Sequence, residues 1–208
     1  MISVEKYLEI AKENVRHNLI VHAGIAGILL CLSPLVLGVK NLPPSDTAKV
    51  LEMYVALIGI ILIPPVFLPE QNPDLRDLIR SKYTKISVLY SIRIAEAVLV
   101  LALFLGAYTG VLHMNGCQMD VIPFYAGTFA EMIFMGGLGL LFYSLTDNLI
   151  AGYMIPVFYY ITAIGAGSKY LKMFYPFSLT KGSFTEKYWL LAGGIILIAA
   201  GVCFRSRK

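Results

Sequence analysis

The stretch Val121-Ile-Pro-Phe-Tyr-Ala-Gly-Thr-Phe-Ala-Glu-Met-Ile-Phe-Met-Gly-Gly-Leu-Gly-Leu-Leu-Phe-Tyr-Ser-Leu145 holds 25 residues and one charge, Glu131. A helix needs about 20 apolar residues to cross a bilayer, so this run is long enough to span. Five further blocks repeat the pattern: Leu19–Val39, Val50–Leu68, Ile86–Tyr108, Leu149–Ala166 and Tyr188–Phe204. Hydrocarbon satisfies no backbone polar group, so each block must close its own hydrogen bonds as a helix. The expected fold is an all-α integral membrane protein with six transmembrane helices in one domain, residues 1–208. Within it, 1–18 form an amphipathic interfacial helix, 19–204 the six-span bundle and 205–208 a basic tail.

Composition agrees. The chain is 58% hydrophobic and 14% charged, against about 25% charged in soluble domains, and its mean hydropathy is +0.73. A β-barrel would show short alternating segments in place of continuous apolar runs. The net charge of +4 sits between spans, where it reports topology and attraction to anionic lipid and not nucleic acid. Glu5, Glu9 and Glu13, followed by a long apolar run, do not fit a cleaved signal sequence, so the first span is expected to be retained. Cys31, Cys117 and Cys203 are odd in number and scattered, which suits small apolar fillers better than disulfides or a metal site.

Lysine and arginine divide unevenly between alternate loops, ten against six. The richer set is Lys6, Lys12, Arg16, Arg76, Arg80, Lys82, Lys85, Arg205, Arg207 and Lys208. The poorer set is Lys40, Lys49, Lys169, Lys172, Lys181 and Lys187. The positive-inside rule then puts both termini in the cytoplasm, as an even number of spans requires. The expected location is the inner (plasma) membrane.

Before the first span, Val4, Tyr7, Leu8, Ala11 and Val15 form one apolar stripe, as in a helix lying along the membrane surface. After the second span, Asn72 is a good N-cap, Pro73 suits the first helical position, and Asp74 and Asp77 favour the positive helix end. Leu75, Leu78 and Ile79 share one face of this linker helix, with Arg80 and Lys82 at its far end. About ten residues make a marginal helix in water, so it needs a surface: lipid headgroups or a groove on a cytoplasmic partner.

Charges inside spans are expensive and mark sites or interhelical glue. Arg93 and Glu96, three residues apart, are placed to pair on one helix face. Glu131 has no sequence-local partner, so it should face the protein interior or carry a proton. Glu52 and Asp147 fall near span ends and carry little weight. Pro64, Pro65 and Pro69 should bend or end the second span, and Pro156 should kink the fifth. Ala102, Gly106 and Gly110 make a small-residue ridge on the third span, and Gly136, Gly137 and Gly139 another on the fourth. The aromatic segment from Gly167 to Lys187 reads as a short interfacial or re-entrant helix broken at Pro176, or as an ordinary aromatic belt.

Familiar catalytic signatures are missing: no phosphate-binding loop, no H-E-x-x-H zinc helix, no G-x-S-x-G elbow. No catalytic, metal or cofactor-binding residue is expected in this chain, and it is not expected to be an enzyme.

Taken together, the amphipathic N-terminus, six spans and basic tail resemble the permease subunit of a type 2 ABC exporter. Local similarities are Leu78-Ile-Arg-Ser-Lys82, Tyr90-Ser-Ile-Arg-Ile-Ala-Glu96, Gly136-Gly-Leu-Gly-Leu-Leu-Phe-Tyr-Ser-Leu-Thr-Asp-Asn148 and Phe174-Tyr-Pro-Phe177. The resemblance implies an ABC-type ATPase partner carrying ATP and Mg, and a second permease copy or related permease completing a dimer. It implies docking through Leu75, Arg76, Leu78, Ile79 and Arg80, with Arg93, Glu96 and Glu131 as intramembrane polar groups. The alternative is a stand-alone multi-pass protein: a small channel, a carrier or an assembly factor.

Overall fold

The structure is a computed structural model describing residues 2–72, 76 and 86–207, with side chains from residue 7 onward. Among these residues six helices are long and apolar enough to cross a membrane. They are α1 (Tyr7–Leu37), α2 (Pro44–Gln71), α3 (Ile86–Met114), α4 (Val121–Thr146), α5 (Leu149–Phe174) and α6 (Thr185–Arg207). Regular secondary structure among the described residues is entirely helical. The chain is therefore all-α and reads as a multi-pass membrane protein.

Two helices form the centre. Within the most apolar stretch of α2 and of α4, 78% and 72% of residues are buried, against 17–33% in the other four. The core is drawn from Leu51, Ile58, Ile63 and Phe67 of α2, Leu101 and Leu105 of α3, and Met132, Leu140 and Tyr143 of α4. Outward faces carry large apolar side chains, among them Leu35 (82% exposed), Leu103 (63%) and Ile196 (67%). Such a surface is costly in water and matched to lipid.

Lipid tails are as apolar as leucine, so close packing and not burial from water must hold these helices together. The glycine ridge of α4 supplies it. A Cβ on Gly136 would stand 2.7 Å from the Gly59 carbonyl oxygen of α2. On Gly137 it would stand 2.8 Å from the Gly194 carbonyl oxygen of α6, and on Gly139 2.7 Å from the Pro64 ring. No side chain fits at any of the three. The ridge on α3 behaves differently: Gly106 and Gly110 are exposed, and nothing lies within 4 Å of a Cβ on Gly110.

The N-terminal helix is not set apart from the first span. Ile2–Asn14 passes through a π-turn, Val15–Leu19, straight into Ile20–Leu37. Tyr7, Leu8 and Val15 of the apolar stripe point outward, and polar Asn14 and Asn18 turn inward. A second π-turn, Val50–Tyr54, lies in α2. Each π-turn takes one extra residue per turn and rotates the rest of its helix. The paired prolines end the α-helical part of α2 at Leu62, and a 3-10 stretch, Pro64–Gln71, completes the span.

Helix α5 runs through Pro156, and its backbone leaves helical geometry at Gly167 (φ 68°, ψ −176°). Two 3-10 turns, Lys172–Phe174 and Leu179–Lys181, flank Pro176. The second carries Leu179 into the bundle, where it packs under Gly127 of α4. Between α4 and α5 the turn is tight. Asp147 is left-handed (φ 57°), and the Asn148 side chain caps α5 by accepting from the Ile150 N–H at 2.8 Å.

Bonds between loops and helix ends sort the molecule into two ends. The α1–α2 and α3–α4 loops pair through Asn41 N–H to Asn115 O (3.0 Å) and Gln118 N–H to Leu42 O (2.9 Å). This is the far end. The opposite, terminal end gathers the N-terminal helix, the α2–α3 junction, the α4–α5 turn and the end of α6. Arg76, the one described residue of the linker after Pro73, is helical, and its N–H donates to Asn72 O at 3.0 Å. This is an i to i−4 bond, the α-helical pattern.

Candidate functional site

Each end holds a buried cluster of charges. At the terminal end, Glu70 is fully buried, and its Oε1 takes Arg93 Nη1 at 2.8 Å. The Tyr90 hydroxyl donates to the other carboxylate oxygen. Arg93 also donates to Val66 O at 3.2 Å, a carbonyl just beyond the paired prolines. The proline ring nitrogens donate nothing, so this part of α2 has carbonyls to spare. Asn18 takes another, Pro65 O, at 3.1 Å.

Arg93 and Glu96 thus separate. Glu96 Oε2 accepts from Asn14 Nδ2 at 2.6 Å, joining α3 to the N-terminal helix. Three residues on a helix subtend less than a full turn, and each side chain finds its partner on a different neighbour.

Asp147 is the hub of the terminal end. Arg205, 2% exposed near the end of α6, donates to one carboxylate oxygen. Arg76 approaches the other at 3.4 Å. The Arg205 guanidinium also stacks over Phe67 (5.7 Å) and Tyr143 (5.8 Å), a cation–π arrangement that helps hold a buried cation. Arg205 therefore belongs to the bundle and not to a free basic tail. Arg76 is half-buried and ion-paired within the chain. Leu75, Leu78, Ile79 and Arg80 lie outside the described residues.

At the far end Lys187, 4% exposed, reaches two fully buried carboxylates. Its ammonium lies 2.7 Å from Glu52 Oε1 and 2.9 Å from Glu131 Oε2. It donates as well to Pro176 O. Glu52 is richly held: Leu179 N–H (2.7 Å), Thr180 N–H (3.1 Å) and Thr180 Oγ1 (2.8 Å) all donate to it. The carboxylate thereby anchors the α5–α6 segment as a cap over the bundle. Among the described residues Glu131 has Lys187 alone, and its Oε1 is buried with no partner. Thr128 Oγ1, one turn before it on α4, is likewise buried and unpartnered.

Local structure delivers these groups. Glu52 lies in the π-turn of α2, whose loosened carbonyl at Met53 accepts the Tyr160 hydroxyl at 2.5 Å. Burial, with Glu52 and Glu131 nearby, raises the Tyr175 phenol of the cap above its ordinary range, so it stays neutral.

Of the polar groups singled out in the sequence, Glu131, Arg93 and Glu96 all make interhelical contacts, in two clusters at opposite ends. Glu70, Lys187 and Arg205 bear no mark of a site in the sequence, and Glu52 and Asp147 bear little. Lys187 looks like one more loop lysine, and Glu52 lies 135 positions from it in the chain. One signal was available: Val50-Leu-Glu-Met-Tyr-Val55 embeds a carboxylate in an otherwise uncharged run. No family model, no curated protein and no solved structure matches this chain.

Proposed function

We propose that this chain is the transmembrane permease subunit of an ATP-driven exporter in the inner (plasma) membrane, with both termini cytoplasmic. A separate ABC-type ATPase carries ATP and Mg, and a second permease copy or a related permease completes the transport path. The ATPase docks on the linker between α2 and α3 and on the N-terminal helix.

The observation that carries this reading is the fastening of the linker. Arg76 is tied to Asp147 at the α4–α5 turn, and Asp147 is tied in turn to Arg205 of α6. A displacement of the linker therefore loads the central helix and the last helix directly. The other element of the proposed docking surface, and the end of α2 that leads into the linker, are also bonded to spans. The N-terminal helix meets α3 through Asn14 and Glu96, and the end of α2 meets α3 through Glu70 and Arg93. The exposed Gly106–Gly110 ridge on α3 is open to close packing with a second permease.

The test uses Leu78→Asp with Ile79→Asp on the apolar face of the linker. The double variant is expected to insert in the membrane normally and to lose its ATPase. Normal ATPase association would overturn the docking assignment. One observation favours a stand-alone ion-coupled carrier as the second reading: buried charge at the far end, of the kind that marks ion pathways in membranes.

A further inference from the structure

The two charge clusters differ in their balance. At the terminal end, among the described residues, Glu70, Glu96 and Asp147 sit with Arg93, Arg205 and Arg76. Carboxylates and guanidiniums there are equal in number. At the far end two buried carboxylates share one ammonium. Fully ionised, this cluster would hold one negative charge in excess, in a place closed to water on every side chain: Glu52 and Glu131 are 0% exposed and Lys187 4%. An uncompensated charge in such a site is strongly disfavoured, and the ordinary escape is to take up a proton.

We propose that the Glu52–Lys187–Glu131 cluster binds one exchangeable proton, carried by Glu131. The hydrogen bonds decide between the two carboxylates. Glu52 accepts from two backbone N–H groups, the Thr180 hydroxyl and Lys187, a donor set that fits an ionised carboxylate. Among the described residues Glu131 accepts from Lys187 only, and its Oε1 has no donor. A proton on that oxygen removes the excess charge and leaves both bonds to Lys187 in place.

Among the described residues, Lys187 is the one cation paired with either carboxylate. Helix α5 contributes no charge here: its Tyr159 and Tyr160 hydroxyls donate to the carbonyls of Phe174 and Met53. Helix α3 sends its two charged side chains, Arg93 and Glu96, to the terminal end. Lys181 of the cap is directed to the Ser168 hydroxyl and the Tyr175 ring. The proton thus acts as a latch. Its loss would set Glu131 against Glu52 across a single lysine, loosening the junction of α2, α4, α6 and the cap. This site stands apart from the ATPase-docking reading and does not depend on it.

Infrared difference spectroscopy of the full-length protein in lipid vesicles, in potassium buffer at neutral pH, tests the proposal. Spectra of Glu131→Gln and of Glu52→Gln are each subtracted from that of the unmodified protein, with monodisperse elution as the check on folding. Both differences are expected to show loss of one protonated-carboxyl carbonyl band that shifts on deuterium exchange. Glu52→Gln should remove it too, because one carboxylate then faces one ammonium and the proton is released. A flat carboxylic-acid region in either difference would overturn the proposal. Sodium in place of potassium should leave the band unchanged, and its disappearance would show a metal cation in the proton's place.

Discussion

Glu131 shows how far a single residue can be read from sequence. Its place in an apolar run announces an interior group, because no lipid-facing carboxylate could remain there ionised. Its partner could not be read, since Lys187 carries the appearance of a loop lysine at the start of a span. Long-range pairing of this kind leaves no mark on local spacing. The same holds for Arg93, which has a carboxylate three residues away and pairs instead with Glu70. Removing one partner of such a buried pair strands the other, at a typical cost of about 3–5 kcal/mol. Arg93→Leu is therefore expected to lower the melting temperature in detergent sharply. Arg93→Leu combined with Glu70→Leu should recover much of that loss, and simple additivity of the two single effects would contradict the pairing.

At the scale of elements, six helices were legible because the apolar blocks are long and separated by turn residues. Their internal breaks were only partly so. The proline pair in α2 acts as its chemistry demands, since proline donates no hydrogen bond. Helix α5 continues through Pro156. The break falls at Gly167, whose dihedral region is essentially reserved for glycine. Gly167→Ala should therefore destabilise the protein by of order 1–3 kcal/mol although the site has open space around it. A thermal melt equal to that of the parent would contradict that assignment. Glycine ridges divide in the same way. The ridge on α4 is filled by neighbouring backbone, so Gly137→Leu should abolish recovery of folded protein. On α3 the space around Gly110 is open, and Gly110→Leu should fold normally. If a second permease packs there, that variant should elute from a sizing column as a smaller species.

Over the whole molecule, the arrangement is a two-helix core wrapped by four lipid-facing helices and latched by charge at both ends. Hydropathy marked the six apolar helices but not which two are central, since α2 is as apolar as the outer α1 and α3. The latches were not legible, because each joins segments from three or more parts of the chain. They give the account its mechanical content: helices fastened at the terminal end to the linker through Arg76, Asp147 and Arg205. On the exporter reading, with Arg76 turned to Asp147 instead of to the ATPase, Arg76→Ala should leave ATPase binding in place and reduce the coupling of ATP hydrolysis to transport in reconstituted vesicles. Unchanged coupling would remove Arg76 from the mechanical path. The most direct measurement is a mild-detergent pull-down of the tagged chain from its native membrane, with mass spectrometry of what accompanies it. A stoichiometric ABC-type ATPase is the predicted result; a folded chain recovered without one, in several detergents and with its oligomer intact, would contradict the exporter reading.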